Sequence, residues 1–232
     1  MRYGLIGSLF AYLRAPGLRP IAPAPSRPVL LIARLTLICL AAAIGARLLG
    51  DLLVSRQLIA APGPSFLEQP QVSLPEFMLG AVLIAPLTEE LVFRAQLRRF
   101  SASLFFIAFI FGLLLSALTG TRWALLISPV LFVLFFSIYR LTLGYSLTSK
   151  FTFWRRLFPL HFYLTAVCFA LVHLGNFEKG ISLLPLGLFY TLPQLAIGLV
   201  LGYTRMNYGF RYAVYLHSIY NLVLAAVLYF RW

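Results

Sequence analysis

Ala85-Pro86-Leu87-Thr88-Glu89-Glu90-Leu91-Val92-Phe93-Arg94-Ala95-Gln96-Leu97-Arg98-Arg99 is the stretch on which the reading of the whole chain turns. The chain has six acidic residues, and two of them stand side by side here, between the apolar run Phe77 to Ala85 and Leu91-Val92-Phe93. An unpaired charge at bilayer depth costs roughly 3 kcal/mol or more, so adjacent carboxylates in such a run need partners. On a helix Glu90 and Arg94 are at i, i+4, with the glutamate in the favoured amino-terminal position, and they are expected to pair. Glu89 points about 100° away from Glu90, so its partner has to come from another helix. Pro86, one turn before Glu90, is expected to bend the helix and free a carbonyl near the acids.

The surroundings decide the fold class. Of 232 residues 61% are hydrophobic and 11% charged, where a soluble domain has about 25% charged. The mean hydropathy is +0.91. This composition predicts an all-α, polytopic transmembrane bundle of about seven spans, or eight with an interfacial amino-terminal helix. The net charge of +13 is read as basic loops retained on the cytoplasmic side. Basic runs interleaved with aromatics are missing outside the apolar segments, so nucleic acid is not expected as a partner. The bilayer is. Cys39 and Cys168 both lie in apolar runs and read as structural thiols, not as a disulfide framework.

Residues 1–28 carry five prolines and four arginines. They read as a cytoplasmic tail in which Leu5 to Leu13 lies in the interface, with no cleavage site following it. Residues 29–75 read as a first span, Val29 to Leu49, and a non-cytoplasmic loop, Gly50 to Pro75. Residues 76–232 read as the main membrane domain. Its spans are expected at Glu76 to Arg99, Leu104 to Leu118, Trp123 to Leu143, Pro159 to Leu174, Ile181 to Tyr203 and Tyr212 to Phe230. Gly120-Thr121-Arg122 is expected to be a tight turn, and Pro159 is placed in the first turn of its helix, where proline fits. Arg140, Lys150, Arg155 and Arg156 read as a basic loop, with His161 near the headgroups. Pro185 and Pro193 should break the sixth span, and Gly198-xxx-Gly202 offers a packing face. Arg231 and Trp232 should close the last span at the interface. Loop charges put the amino terminus in the cytoplasm, in a prokaryotic plasma membrane.

Within the spans the polar inventory is Glu89, Glu90, Arg94, His173, His217 and Asn221. His217 and Asn221 are at i, i+4 and share a face. Each has a bland explanation: a buried histidine is commonly a packing residue, and Glu90 with Arg94 is an ion pair under any hypothesis. Together, a carboxylate, two imidazoles and an amide from three spans form the inventory for activating water and stabilising an oxyanion. HExxH is absent, aspartates are not expected in the spans, and GxSxG is absent, which sets aside three other membrane-protease chemistries.

Glu89-Glu90-xxx-Arg94, Phe169-xxx-His173 and His217-xxx-Asn221, in that order and each in an apolar run, resemble the motifs of the CAAX-protease and bacteriocin-processing (CPBP) family, the type II CAAX prenyl endopeptidase or Abi family of glutamic intramembrane proteases. The resemblance covers about Phe77 to Phe230. It implies that Glu89 activates water together with His173, that His217 and Asn221 form an oxyanion site, and that Glu90 and Arg94 orient the motif. Two departures stand out. Ala95 follows the arginine where the family commonly has glycine, and the interval between the first two motifs holds an additional helical pair at 104–143.

The expectation is therefore an intramembrane endopeptidase that cleaves a membrane-anchored protein or peptide near its carboxyl terminus, without a cofactor. One alternative is a zinc peptidase with Glu89, His173 and His217 as ligands and water in the fourth position. The other is a non-catalytic membrane immunity or sorting accessory protein in which the cluster serves packing.

Overall fold

Prolines, glycines and capping residues cut this apolar chain into ten α-helices among the described residues, which in the computed structural model are 4–65, 73–121, 123, 126–143 and 146–229. The helices are α1 (Leu5–Arg14), α2 (Pro28–Ser55), α3 (Leu74–Leu79), α4 (Ala85–Phe93), α5 (Phe100–Thr119), α6 (Ile127–Leu143), α7 (Leu147–Val172), α8 (Gly187–Tyr190), α9 (Leu192–Tyr208) and α10 (Phe210–Tyr229). Extended pairing among the described residues is limited to one isolated bridge, Ser65 with Phe177. The all-helical expectation holds. Pro28–Ser55 and Thr148–Asn176 are long and apolar enough to cross a membrane. A third candidate is Ser182–Tyr190 joined to Leu192–Tyr208 through a 62° bend. Leu5–Arg14, Phe100–Ser116 and Ile127–Leu141 are shorter apolar helices.

The bundle is built on α9, which packs against α1, α2, α7 and α10 and is buried over most of Ile197 to Met206. Its glycines explain how α7 comes so close. A Cβ on Gly202 would lie 2.7 Å from Phe162 Cε2, and one on Gly198 would lie 3.0 Å from Phe169 Cδ1. The small-residue face inferred for this pair is thus occupied by two aromatic rings of α7. The helix α1 docks on the other side through Leu9 and Tyr12, and Tyr12 stacks edge-on to both Phe162 and Tyr203. Cys39 and Cys168 are buried free thiols.

The stretch that opened the sequence analysis is the least regular part of the fold. Ser73 caps α3 in a reciprocal box with Glu76, the Ser-x-x-Glu signature of a helix start. The chain then widens into a π-helical turn, Gly80–Ile84, before α4 begins. Ala85 N–H reaches back five residues to the Gly80 carbonyl. In that register Pro86 would bond the Ala81 carbonyl, but it has no N–H to give. Asn221 supplies the missing donor, its Nδ2 lying 2.8 Å from Ala81 O. The freed carbonyl expected of the proline is thus present, and α10 is held to this segment at that carbonyl. After Phe93 the chain breaks again at Arg94 and tightens into a 3₁₀ turn, Ala95–Arg98. The single span expected over Glu76 to Arg99 is thus four linked segments.

Other boundaries differ from the sequence reading. The first apolar helix runs on through Ser55 instead of ending at Leu49, because Arg47 and Asp51 pair at i, i+4 and Gly50 causes no break. Asp51 therefore sits on a helix, exposed, although aspartates were not expected in the spans. Leu104 and Trp123 were set as helix starts; the helices begin at Phe100 and Ile127. Gly120 ends α5 in the left-handed conformation, φ +67°, but Arg122 of that turn lies outside the described residues, as do Phe230, Arg231, Trp232 and part of the loop before Pro75. The largest correction concerns Pro159. It lies inside α7, whose start is capped by Ser146 accepting from the Ser149 N–H. Lys150, Arg155 and Arg156 consequently ride on helical turns and not in a loop. His161, read as interfacial, is only 3% exposed.

Candidate active site

Three helices converge on Glu89. Its Oε2 lies 3.9 Å from His173 Nε2 at the end of α7 and 3.7 Å from His217 Nε2 on α10. That oxygen is buried and has no hydrogen-bond partner. Both separations exceed a direct hydrogen bond, and both are short enough for one water to bridge. Beside them is a cavity of about 250 Å³ lined by Ala81, Glu89, His173, Gln194, His217 and Asn221 among others. The cluster expected from sequence is therefore a single place in the molecule.

Each neighbour fixes the state of the next. His173 Nδ1 is 2.6 Å from the Phe169 carbonyl one turn back. A carbonyl only accepts, so Nδ1 carries the hydrogen, and in the neutral ring Nε2 turns a lone pair toward Glu89. This gives Phe169-xxx-His173 a physical meaning: the backbone of the phenylalanine sets the tautomer of the histidine. The Phe169 ring does a second job. It stacks edge-on to His173 with centroids 4.8 Å apart, and the Arg94 guanidinium lies 3.9 Å above its centroid.

Beneath Glu89 lies the buried ion pair. Glu90 Oε1 is 3.6 Å from Arg94 Nη1, with side chains 0% and 1% exposed. Arg94 also donates to the Gly198 carbonyl at 3.3 Å, and its own carbonyl accepts from Arg205 Nε at 3.0 Å. The pairing was expected. What the sequence did not reveal is that Glu90 also holds His217, Oε1 to Nδ1 at 3.0 Å. The two adjacent glutamates thus flank one imidazole, Glu90 hydrogen-bonded to its Nδ1 and Glu89 at 3.7 Å from its Nε2. Asn221 shares the His217 face as expected, and one of its amide hydrogens is committed to Ala81. The other remains for the cavity.

Sequence reasoning missed two features. Gln194, in the wall of the cavity, has a buried Oε1 without a partner; its signal was an amide in an otherwise apolar run after Pro193. The second is a separate polar knot against the middle of α7. Gln96 Oε1 accepts from His161 Nε2 at 2.6 Å and from Ser103 Oγ at 3.0 Å, and Gln96 Nε2 donates to the Phe93 carbonyl at 3.0 Å and to Thr165 Oγ1 at 3.3 Å. Among the described residues no group of three His, Cys, Asp or Glu side chains is arranged to hold a metal ion.

A helical bundle with membrane-length apolar helices and a carboxylate and two imidazoles beside one cavity defines a class, the helical membrane proteins with an embedded polar cluster. Residues 137–223 match the family model for type II CAAX prenyl endopeptidase Rce1-like proteins, which bears out the family that the three motifs resemble. The matched range includes His173, His217 and Asn221; Glu89, Glu90 and Arg94 lie before it. The match implies a membrane-embedded hydrolase of the CAAX-protease type. No curated protein and no solved structure matches the chain.

Proposed function

We propose that this chain is an intramembrane endopeptidase in which Glu89 and His173 activate water to cleave a membrane-associated protein or peptide near its carboxyl terminus. The observation that carries this reading is the approach of Glu89 Oε2 to 3.9 Å from His173 Nε2 beside the cavity, an orphaned carboxylate oxygen and a lone pair that one water in the cavity can bond together.

A water in that gap surrenders a proton to the Glu89–His173 pair while its oxygen bonds the substrate's carbonyl carbon. Charge moves onto the carbonyl oxygen, where the free Asn221 N–H and His217 Nε2–H stabilise it. With Nδ1 serving Glu90, that second role requires a doubly protonated His217. Collapse of the adduct breaks the C–N bond, and the proton held by the pair passes to the departing nitrogen. The products are a new carboxyl end and a new amino end. Glu90 and Arg94 take no part in bond making; they position His217 and hold the broken helix in place.

In this reading no metal takes part, and zinc held by Glu89, His173 and His217 is the alternative that chelation tests. The proposed topology has the amino terminus in the cytoplasm of a prokaryotic cell and seven crossings, with α5 and α6 as a hairpin inserted between the first two motifs. Two contact sets fit it. The segment before residue 66 meets the region of Phe177, Lys179 and Tyr190 at one end of the bundle. Arg98 donates to the carbonyls of Arg19 and Met206 at the other. The test is to reconstitute the purified protein in vesicles with synthetic peptides that each carry one apolar anchor, and to read products by mass spectrometry. New carboxyl ends that vanish with His173→Ala support the reading. Products that persist in that variant refute it.

A further inference from the structure

The hairpin α5–α6 contributes nothing to the site around Glu89, yet it forms a second cavity. The helix α6 packs along α5 and hardly touches α7. The gap between them is a groove of about 270 Å³ walled by Phe100, Ile107, Phe135, Tyr139, Trp154 and Leu164 among others. Several apolar residues along it, including Ile138, Leu157, Leu160 and Leu164, are well exposed.

The lining of the groove carries no cation, but the face of α7 that walls it is graded in sequence, with Lys150 one turn outside the lining. Down one face of α7 the residues are Lys150, Phe153, Trp154, Leu157, Leu160, His161 and Leu164, spaced by three or four and so on one side of the helix. A cation comes first, then aromatics, then leucines. The other two helices bring their cations to the same end. Arg99 precedes α5, and Arg140 lies in the last turn of α6. The level is fixed by Phe100, whose ring lies 4.5 Å from Tyr139 and 4.9 Å from Trp154. The Lys150 ammonium stands 5.4 Å over the Tyr139 ring. Between Arg94 and Phe177 the sequence has no acidic residue at all. At the boundary of the basic and apolar parts sits Trp154, 6% exposed, whose Nε1 is buried without a hydrogen-bond partner. Indole is a donor only, so it awaits an acceptor.

We propose that this groove binds one anionic phospholipid of the bilayer. An acyl chain lies between α6 and α7, the ester carbonyl accepts from Trp154 Nε1–H, and the phosphate sits among Lys150, Arg140 and Arg99. The ester group has acceptors and no donors, which is what a lone indole N–H requires. Trp and Tyr are favoured at that depth of a membrane, and basic pockets between membrane helices bind acidic headgroups. A zwitterionic lipid matches the apolar part alone. The proposal does not depend on the reaction at Glu89.

The test uses Trp154 as its own reporter. In a Trp123→Phe, Trp232→Phe background, the protein is reconstituted in phosphatidylcholine vesicles containing phosphatidylglycerol brominated on the acyl chain, or brominated phosphatidylcholine in its place. The expected result is saturating quenching at a several-fold lower mole fraction of the brominated phosphatidylglycerol. Lys150→Ala should raise that fraction about fivefold, the contribution of one cation near the surface, and Leu164→Phe, which fills the groove, should abolish the preference. Equal quenching by the two lipids overturns the proposal. A preference that survives Leu164→Phe also overturns it, since the lipid then lies outside the groove. If Leu164→Phe does not fold, the comparison of the two lipids on the unfilled groove decides alone.

Discussion

The middle of α7 and its carboxyl end each carry a histidine, the buried His161 and the partly buried His173, and the two do different things. His161 and His173 are about 18 Å apart along the axis at 1.5 Å per residue. Both rings lie against aromatic residues, His161 against Trp154 and Phe106, His173 against Phe169. Both use one nitrogen in a short hydrogen bond. The difference is the neighbour on the other helix. At the His161 end it is Gln96, neutral, with both ends of its amide already bonded. At the His173 end it is Glu89, with an orphaned oxygen and a cavity beside it. Two turns of one segment, from Glu89 to Gln96, thus separate a place able to move protons from a place able only to hold helices together. The lesson is that an imidazole in a membrane acquires chemistry from an unsatisfied acid and room for water, and not from burial.

That contrast can be broken most severely at His173. His173→Ala should lower cleavage by roughly 10²- to 10⁴-fold, the usual loss for a positioned proton-transfer group, whereas His161→Ala should leave the turnover of folded protein unchanged. Peptide cleavage by the two purified variants, read side by side, checks this; equal losses would erase the distinction. Next in size is the ion pair beneath the site. Arg94→Met leaves Glu90 as a buried charge without its cation and should cost about 3–5 kcal/mol of stability, measured as a large fall in thermal midpoint in detergent. A midpoint close to the parent's would mean that the pair carries little of the fold.

Much of the Glu89 site was legible in the sequence. Three motifs named its residues, the i, i+4 rule paired Glu90 with Arg94, and Pro86 announced a freed carbonyl. The rest was hidden for physical reasons. The grip of Glu90 on His217 depends on where α10 crosses α4, and spacing says nothing about that. The π-turn at Gly80–Ile84 has no residue signature apart from the proline that follows it. The surroundings of His161 differ from the sequence reading because Pro159 suggests a helix start, which puts His161 at the membrane surface. The chain instead begins that helix at Leu147, behind a Ser146 cap, and carries the proline within it. Gln96 belonged to the stretch quoted first, but an amide has no charge to demand a partner, so it drew no expectation.

Smaller effects sharpen the comparison. Gly202→Ala places a methyl 2.7 Å from the Phe162 ring, and overpacking of this kind costs roughly 1–3 kcal/mol. Because Phe162 neighbours His161, the loss should appear in the thermal midpoint and only weakly in the turnover of folded protein. Gln96→Leu should cost about 1–3 kcal/mol by orphaning the His161 Nε2–H donor, again in stability, while Ser103 keeps the Gln96 and Arg99 carbonyls as acceptors. The smallest expected effect is that of a chelator: cleavage should be unchanged after dialysis against one. A loss that zinc restores would assign Glu89, His173 and His217 to a metal instead.

The most direct measurement is the cleavage rate of Glu89→Gln, a substitution that keeps shape and volume and removes the charge. The account predicts folded protein with an unaltered thermal midpoint and cleavage reduced by about 10³-fold or more. A Glu89→Gln protein that cuts at the parent rate would contradict it, because the surroundings of His173 would then differ from those of His161 in nothing that chemistry uses.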